Sequence, residues 1–410
     1  MSYASFSASP GKAATALAMA FLLIAAGANA AEKKYGPGVT DTEIKIGQTM
    51  PYSGPASAYG SVGLAEIAYI KMLNEQGGVN GRKINFVSLD DGYSPPRTVE
   101  QTRRLVEDEQ VFAIVGSLGT AANSSIHRYM NQKKVPHVFL STGATKWGDP
   151  EHFPWTMGWQ PNYQTEGRIY AKYILANLPD AKIAILYQND DYGKDYVKGF
   201  KDGLGDRADK LVIVEASYEV TAPTIDSQIV TLRSSGADVF FNVTTPKFAA
   251  QAIRKVYDIG WRPVHFVNSV GSSTGAVMKP AGFERTQGII SAHYQKDATD
   301  SRWKDDAGMQ QYLAFMKQRL PYADTADGGT YSGFNIAVTL VHVLKQCGDD
   351  LSRENFMKQA ASIKDLELPM LLPGIKVNTS PSNYFPISQM QLVRFEGDGW
   401  VLFGDVLGGT

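Results

Sequence analysis

Residues 113–125 read AIVGSLGTAANSS. An apolar run stops at Gly116, and small or hydroxyl-bearing residues follow, as in a loop whose bare backbone amides hold an anion at a helix start. A phosphate cradle of the form GxxxxGKS or GxxxxGKT needs its lysine, and GSLGTAANSS has neither Lys nor Arg. A single carboxylate asks for less, because a few free amides and the Thr120 hydroxyl suffice. The next apolar run ends in STGAT, residues 141–145, which repeats the same chemistry. That repetition favours an anion site over a reading of Ser117 and Thr120 as helix caps alone.

Two catalytic readings compete. GSSTG at residues 271–275 fits GxSxG after the apolar run 264–269, which makes Ser273 a remote candidate for a hydrolase nucleophile with His293 or His342 as base. No acid or oxyanion motif is legible around it. The doublets Asp90–Asp91 and Asp190–Asp191 stand at strand ends without further ligands, and they read as capping and hinge-facing residues rather than dyads or metal ligands. The six histidines show no paired ligand spacing and Cys347 is the single cysteine, so no metal, no cofactor and no internal disulfide is expected.

These loops need elements to hold them. From residue 42 onward, short apolar runs alternate with helical patterns: 44–49, 84–89, 112–116 and 137–141, then 182–188, 211–217, 238–243 and 264–269. Helices fall between them, among them 62–75, 96–109, 120–132, 192–204 and 246–259. Strands apolar on both sides and separated by helices predict parallel sheets covered on both faces, and two such series predict two doubly wound α/β lobes. A further strand is expected at 288–294, a long helix at 328–345, and a hairpin around GDG near the end. A chain of 410 residues also exceeds the usual size of one core.

In such sheets ligands bind beyond the carboxyl ends of the strands. The tips there are GSLGT, STGAT, QNDDY (188–192), NVTTP (242–246) and NSVGSS (268–273), so hydroxyls and free amides from both series converge on one cleft. The formal net charge of −1 gives no reason to expect a nucleic-acid partner. At the other end, Lys12 is the only charge before Glu32, residues 13–26 are apolar, and Ala28–Asn29–Ala30 offers a cleavage site. That pattern predicts a signal peptide over residues 1–30 and a periplasmic mature protein; the apolar run is shorter than the roughly 20 residues of a membrane span.

Four stretches, TDTEIKIGQTMPYSGPASAYG, NEQGGVNGRKINFVSLDDGYSPPRTVEQTRRLV, IVGSLGTAANSS and YQNDDYGKD, together resemble the type I periplasmic binding proteins of the leucine/isoleucine/valine-binding group, the solute receptors of ABC importers. The resemblance implies two Rossmann-like lobes joined by three crossovers, near residues 155–160, 288–293 and 371–376. It places lobe 1 at residues 31–157 and 292–372, and lobe 2 at 158–291 and 373–410. It further implies a non-catalytic monomer that takes a small-molecule carboxylate and meets an ABC permease in the inner membrane.

Matched motif to motif, the resemblance puts the carboxylate site on Leu118, Gly119 and Thr120 and on Thr142, Gly143, Ala144 and Thr145. Tyr59 matches an aromatic of the side-chain pocket, Tyr192 the ring that closes over the ligand, and Thr244 a position where amino-acid binders carry tyrosine. Val270 stands where such binders carry the acid that grips the ligand ammonium. A buried ammonium without a carboxylate is disfavoured, so an aromatic acid of benzoate or cinnamate type is the expectation, with a branched-chain amino acid, or an amide or urea, as the alternative. The aromatics Tyr52, Trp147, Phe153, Trp155, Trp159 and Tyr331 are further candidates to flank such a ring. Tyr93 and Gly119 occupy the places of the group's first-lobe disulfide.

Overall fold

A computed structural model describes residues 1–5 and 33–408. Beyond residues 1–5, the expected leader lies outside the described residues. The chain opens with a two-residue strand, β1 (Lys34–Tyr35), and then builds β2 (Glu43–Met50), β3 (Lys83–Asp90), β4 (Ala113–Val115), β5 (His137–Leu140) and β6 (Thr156–Gly158). These last five form an all-parallel sheet in the order β3-β2-β4-β5-β6. A second sheet takes β7 (Ile183–Gln188), β8 (Val212–Tyr218), β9 (Val239–Val243), β10 (Val264–Val267) and β11 (Ile290–His293), all parallel. β12 (Asp350–Leu351) pairs with β1, and the hairpin β13 (Gln389–Glu396) and β14 (Gly399–Gly408) extends the second sheet antiparallel to β11, giving the order β14-β13-β11-β10-β9-β7-β8.

The two-sided burial expected of the inner strands is present: β4, β5 and β9 are buried at every position. The helices that cover the sheets include α1 (Gly60–Glu75), α2 (Pro95–Arg103), α3 (Thr120–Gln132), α4 (Tyr163–Asn177), α5 (Asp191–Leu204), α6 (Asp226–Ser234), α7 (Pro246–Asp258), α8 (Ala307–Arg319), α9 (Gly328–Cys347) and α10 (Arg353–Ala360). The helix expected over 96–109 divides instead: α2 ends at Arg103, and one turn of wider π-helix, Arg104–Asp108, completes it.

The chain passes from the first sheet to the second between Gly158 and Tyr163, from the second back to the first after His293, and again to the second just before Gln389. The expected boundaries are therefore corrected. Gly158 belongs to the first sheet, while Ala292 and His293 belong to the second. The larger change is at residues 373–388, assigned by resemblance to lobe 2. Val377 pairs with Leu366, the Thr379 amide donates to the Ile363 carbonyl, and the Tyr384 hydroxyl donates to the Pro154 carbonyl, so this segment lies on the first lobe. The third crossover follows Ile387, not Leu371.

α4 and α5 pack together beside the second sheet and carry Tyr163 and Tyr192, two of the tyrosines that face the cleft. They approach so closely that a Cβ on Gly199 would stand 2.1 Å from the Gln164 Cα, and one on Gly167 would stand 2.6 Å from the Phe200 amide nitrogen. Glycine is required here by backbone proximity. Gly199→Val forces the helices apart and should cost about 1–3 kcal/mol, read as a lower urea midpoint with an unchanged slope; an unchanged midpoint contradicts this packing.

Candidate ligand-binding site

Between the lobes lies a cavity of about 90 Å³. Six helices begin at its wall: α1 through Tyr59 and Val62, α3 through Gly119 and Thr120, α4 through Tyr163, α5 through Tyr192, α7 through Thr245 and Pro246, and α9 through Asp327 to Gly329. First-turn amides have no acceptor within their own helix, and each helix start carries partial positive charge. The wall contains no Lys or Arg, and Asp327 is its one acid. His293 also lines it, uncharged, because burial pushes its pKa down to about 3.

The GSLGT loop builds one end. Gly119 takes φ +98°, where a side chain is strained, and a Cβ there would meet the Tyr93 ring at 2.7 Å. The two positions that resemblance marked as a lost disulfide are thus in contact, a tyrosine ring lying over a glycine. The Leu118 amide is directed at the Thr49 carbonyl and the Gly119 amide at Ser141, which leaves the first turn of α3, from Thr120 onward, to meet an anion. The Thr120 hydroxyl is held 2.7 Å from that of Thr142.

Of the expected site residues, Tyr59, Leu118, Gly119, Thr120, Tyr192 and Val270 line the cavity, and Thr142, Gly143, Ala144, Thr145 and Thr244 do not. The reason is visible in their bonds. Thr142 supports Thr120 and accepts from the Trp147 indole. The Gly143 carbonyl accepts from the Tyr163 amide in the first crossover, and a side chain there would strike the Pro161 carbonyl. Buried Ala144 accepts from the Trp147 amide. The Thr145 amide and hydroxyl both reach Asp195 on α5, so that end of STGAT grips the opposite lobe. Thr244 turns inward to Asn242, and its neighbour Thr245 faces the cavity.

Among the aromatics expected around the cleft, Tyr59, Tyr192 and Tyr331 line it. Trp147 and Trp159 are core, Phe153 stacks on His127 at 4.0 Å, Trp155 packs against the core, and the Tyr52 hydroxyl meets Ser88. Sequence reasoning missed Tyr93, Tyr163, Tyr294, Asp327 and His293 as wall residues. DGGT at residues 327–330, an acid directly before a glycine pair and a long apolar helix, is the one legible signal among them.

Ser273 caps a helical turn: its hydroxyl oxygen accepts from the Ala276 and Gly328 amides, and His293 meets Ser272 instead, 2.9 Å away. The GxSxG pattern therefore does not form a nucleophile–base pair. Asp190 accepts from the Gly193 amide as the cap of α5, and Asp91 from Tyr93 and Thr98 in the turn after β3. No group of three or more potential metal ligands occurs among the described residues.

Contacts that close the cleft include the Tyr59 hydroxyl donating to the Val270 carbonyl at 3.0 Å, the Gly328 amide donating to Ser273, Lys146 paired with Asp191, and Thr145 with Asp195. The Lys146 pair is exposed and adds little alone.

The sequence profile of the family described as "Periplasmic binding protein" matches residues 43–399, and the chain belongs to that family. Leu/Ile/Val-binding protein homolog 7 of Brucella abortus (strain 2308) is 25% identical over 354 residues, covering 81% of this chain and 84% of the other. A branched chain amino acid ABC transporter protein from Thermus thermophilus, solved with bound valine, superposes with a TM-score of 0.81 at 14% identity, over 90% of this chain and 97% of the other. A fatty acid ABC transporter substrate-binding protein from Thermomonospora curvata gives 0.76 at 20%, over 92% and 95%. The fold is that of the type I periplasmic binding proteins. Membership of the periplasmic binding protein family makes the chain a solute-binding receptor and implies work outside the cytoplasm.

Behind the GSLGT loop, Glu66 on α1 is fully buried beside Gly116 and bonded to Gln48. Burial raises its pKa well above the usual carboxylate range. The folded chain keeps this proton at pH values where the unfolded chain has lost it, so stability falls as pH rises from the unfolded to the folded pKa. Glu66→Gln should be the more stable protein at the alkaline end of a melting series from about pH 5 to about pH 8, with a flatter profile; parallel profiles would mean that Glu66 is ionised.

Proposed function

We propose that this receptor closes on a small α-amino acid and presents it to an ABC permease in the membrane. The carrying observation is the charge layout of the cavity: helix N-termini around it, one carboxylate, Asp327, and no cationic side chain. A ligand carboxylate at the first turn of α3 and an ammonium at Asp327 satisfy both. Burial raises the pKa of Asp327, and an ammonium beside it stabilises the ionised form. Asp327, at the cap of α9, supplies the acid for an ammonium that Val270 does not. The names of the Brucella relative and of the valine-bound Thermus protein support this reading. Export through the leader ending near Ala30, with the mature protein in the periplasm, belongs to the same proposal.

An aromatic monocarboxylate is the second reading, favoured by the six tyrosines in the wall, Tyr59, Tyr93, Tyr163, Tyr192, Tyr294 and Tyr331. In that case Asp327 binds protonated, because two anions sharing this cavity repel.

Thermal melts with leucine, valine, benzoate and 4-hydroxybenzoate test both readings. A true ligand at about 100 times its Kd adds about 2.7 kcal/mol and raises the melting temperature by several degrees. Asp327→Asn preserves the α9 cap, since Asn caps as well as Asp. It should weaken amino-acid binding at least tenfold and leave aromatic acids unaffected or tighter. Leucine and valine without a shift, while 4-hydroxybenzoate gives one, makes the amino-acid reading wrong.

A further inference from the structure

The wall contributed by the second lobe is organised from behind by one buried carboxylate. Glu166, on the first turn of α4, is 1% exposed and accepts four hydrogen bonds: from the Ser269 amide at 2.6 Å, the Ser269 hydroxyl at 2.7 Å, Tyr170 at 2.7 Å and Tyr196 at 2.8 Å. Both donors of Ser269 are thus committed to Glu166. The next residue, Val270, turns its carbonyl to the Tyr59 hydroxyl of the opposite lobe. Tyr196, held by the same carboxylate, stacks on Tyr163 at 4.4 Å and meets Tyr192 edge-on at 5.5 Å, and both of those rings line the cavity.

We infer that Glu166 is a positioning residue for cleft closure: it fixes the loop after β10 so that the Val270 carbonyl meets Tyr59, and it acts on ligand affinity through that latch without touching the ligand. Four donors on one carboxylate exceed what tying α4 to a neighbouring loop requires. Two of them lock one residue of the loop whose next carbonyl crosses the cleft. A charge-assisted bond to a backbone amide is among the stronger ones available, and in a buried setting it defines the loop's register. Glu166 lies outside the cavity lining, so it acts on affinity through what it holds, the Ser269–Val270 loop and the Tyr196 ring packed on Tyr163 and Tyr192, and of these the loop makes the hydrogen bond to Tyr59.

This inference rests on closure around a ligand and not on which ligand is bound. It is tested by a double-mutant cycle on the whole protein with Glu166→Gln and Tyr59→Phe, two positions on opposite lobes that the Ser269–Val270 loop joins by hydrogen bonds. Affinity is measured by calorimetry with leucine and with 4-hydroxybenzoate. Glu166→Gln should weaken binding about tenfold, mainly through faster dissociation, and should weaken it little further once Tyr59→Phe is present. Losses that multiply independently overturn the inference and assign Glu166 to core stability alone. Ser269→Ala, which removes a single donor, repeats the cycle if Glu166→Gln lowers the melting temperature steeply. Binding of 4-hydroxybenzoate but not leucine overturns the amino-acid reading and leaves the cycle to be read on the aromatic acid. If neither binds, closing is followed by single-molecule energy transfer between dyes on Tyr322→Cys and Val230→Cys, at exposed positions on the two lobes. A closed fraction reduced alike by Glu166→Gln and Tyr59→Phe supports the latch, and one indifferent to Glu166→Gln overturns it.

Discussion

A charge in this cavity has no cationic side chain to meet it, and the molecule answers that constraint with backbone. Parallel sheets send every strand toward the same edge, and each strand there hands over to a helix whose first amides lack partners. With two sheets facing one cleft, α3, α5 and α7 deliver such ends by topology, while α1 and α9 add theirs from the first lobe. The resulting field favours anionic groups without a Lys or Arg that would have to be desolvated. Asp327, the one acid, is itself the cap of α9, so the start of that helix is already matched by a negative charge.

Closure follows from what surrounds that field. A ligand shifts the balance between open and closed forms only by contacting both lobes more strongly when they meet. Tyr59, Thr120 and Asp327 come from one lobe, Tyr192, Thr245 and Ser269 from the other, and the cavity exists only between them. The rim contacts Thr145–Asp195 and Lys146–Asp191 are polar and partly exposed, which suits a joint that must reopen. Below them Glu166 and Glu66, one behind each wall, are buried acids with unlike environments. Burial raises the pKa of both, but four donors around Glu166 work against that rise, while Glu66 has Gln48 alone to do so.

Much of the plan was legible because its signals are local. The alternation of apolar runs and helical patterns gave both sheets, and in GSLGT the glycine at 119 marks the tight, positive-φ turn from β4 into α3 at the cavity wall. STGAT looked equivalent and is not. Nothing in its residue types says that Gly143 faces the first crossover or that Thr145 faces Asp195, since that depends on where α4 and α5 pass. Residues 373–388 were misplaced for a similar reason, because their partners at Leu366, Ile363 and Pro154 are distant in sequence or lie on another segment.

By itself the sequence determined the two-sheet architecture, the family and the helix start at Thr120, because periodicity and loop chemistry act over a few neighbouring residues. The tertiary structure alone decided which hydroxyls reach the cavity, which acid balances its charge and how the two walls interlock. Those depend on side chains brought together from separated segments, as with Tyr59 and Val270 or Glu166 and Ser269, and such pairings become defined only when both sheets and all three crossovers are in place.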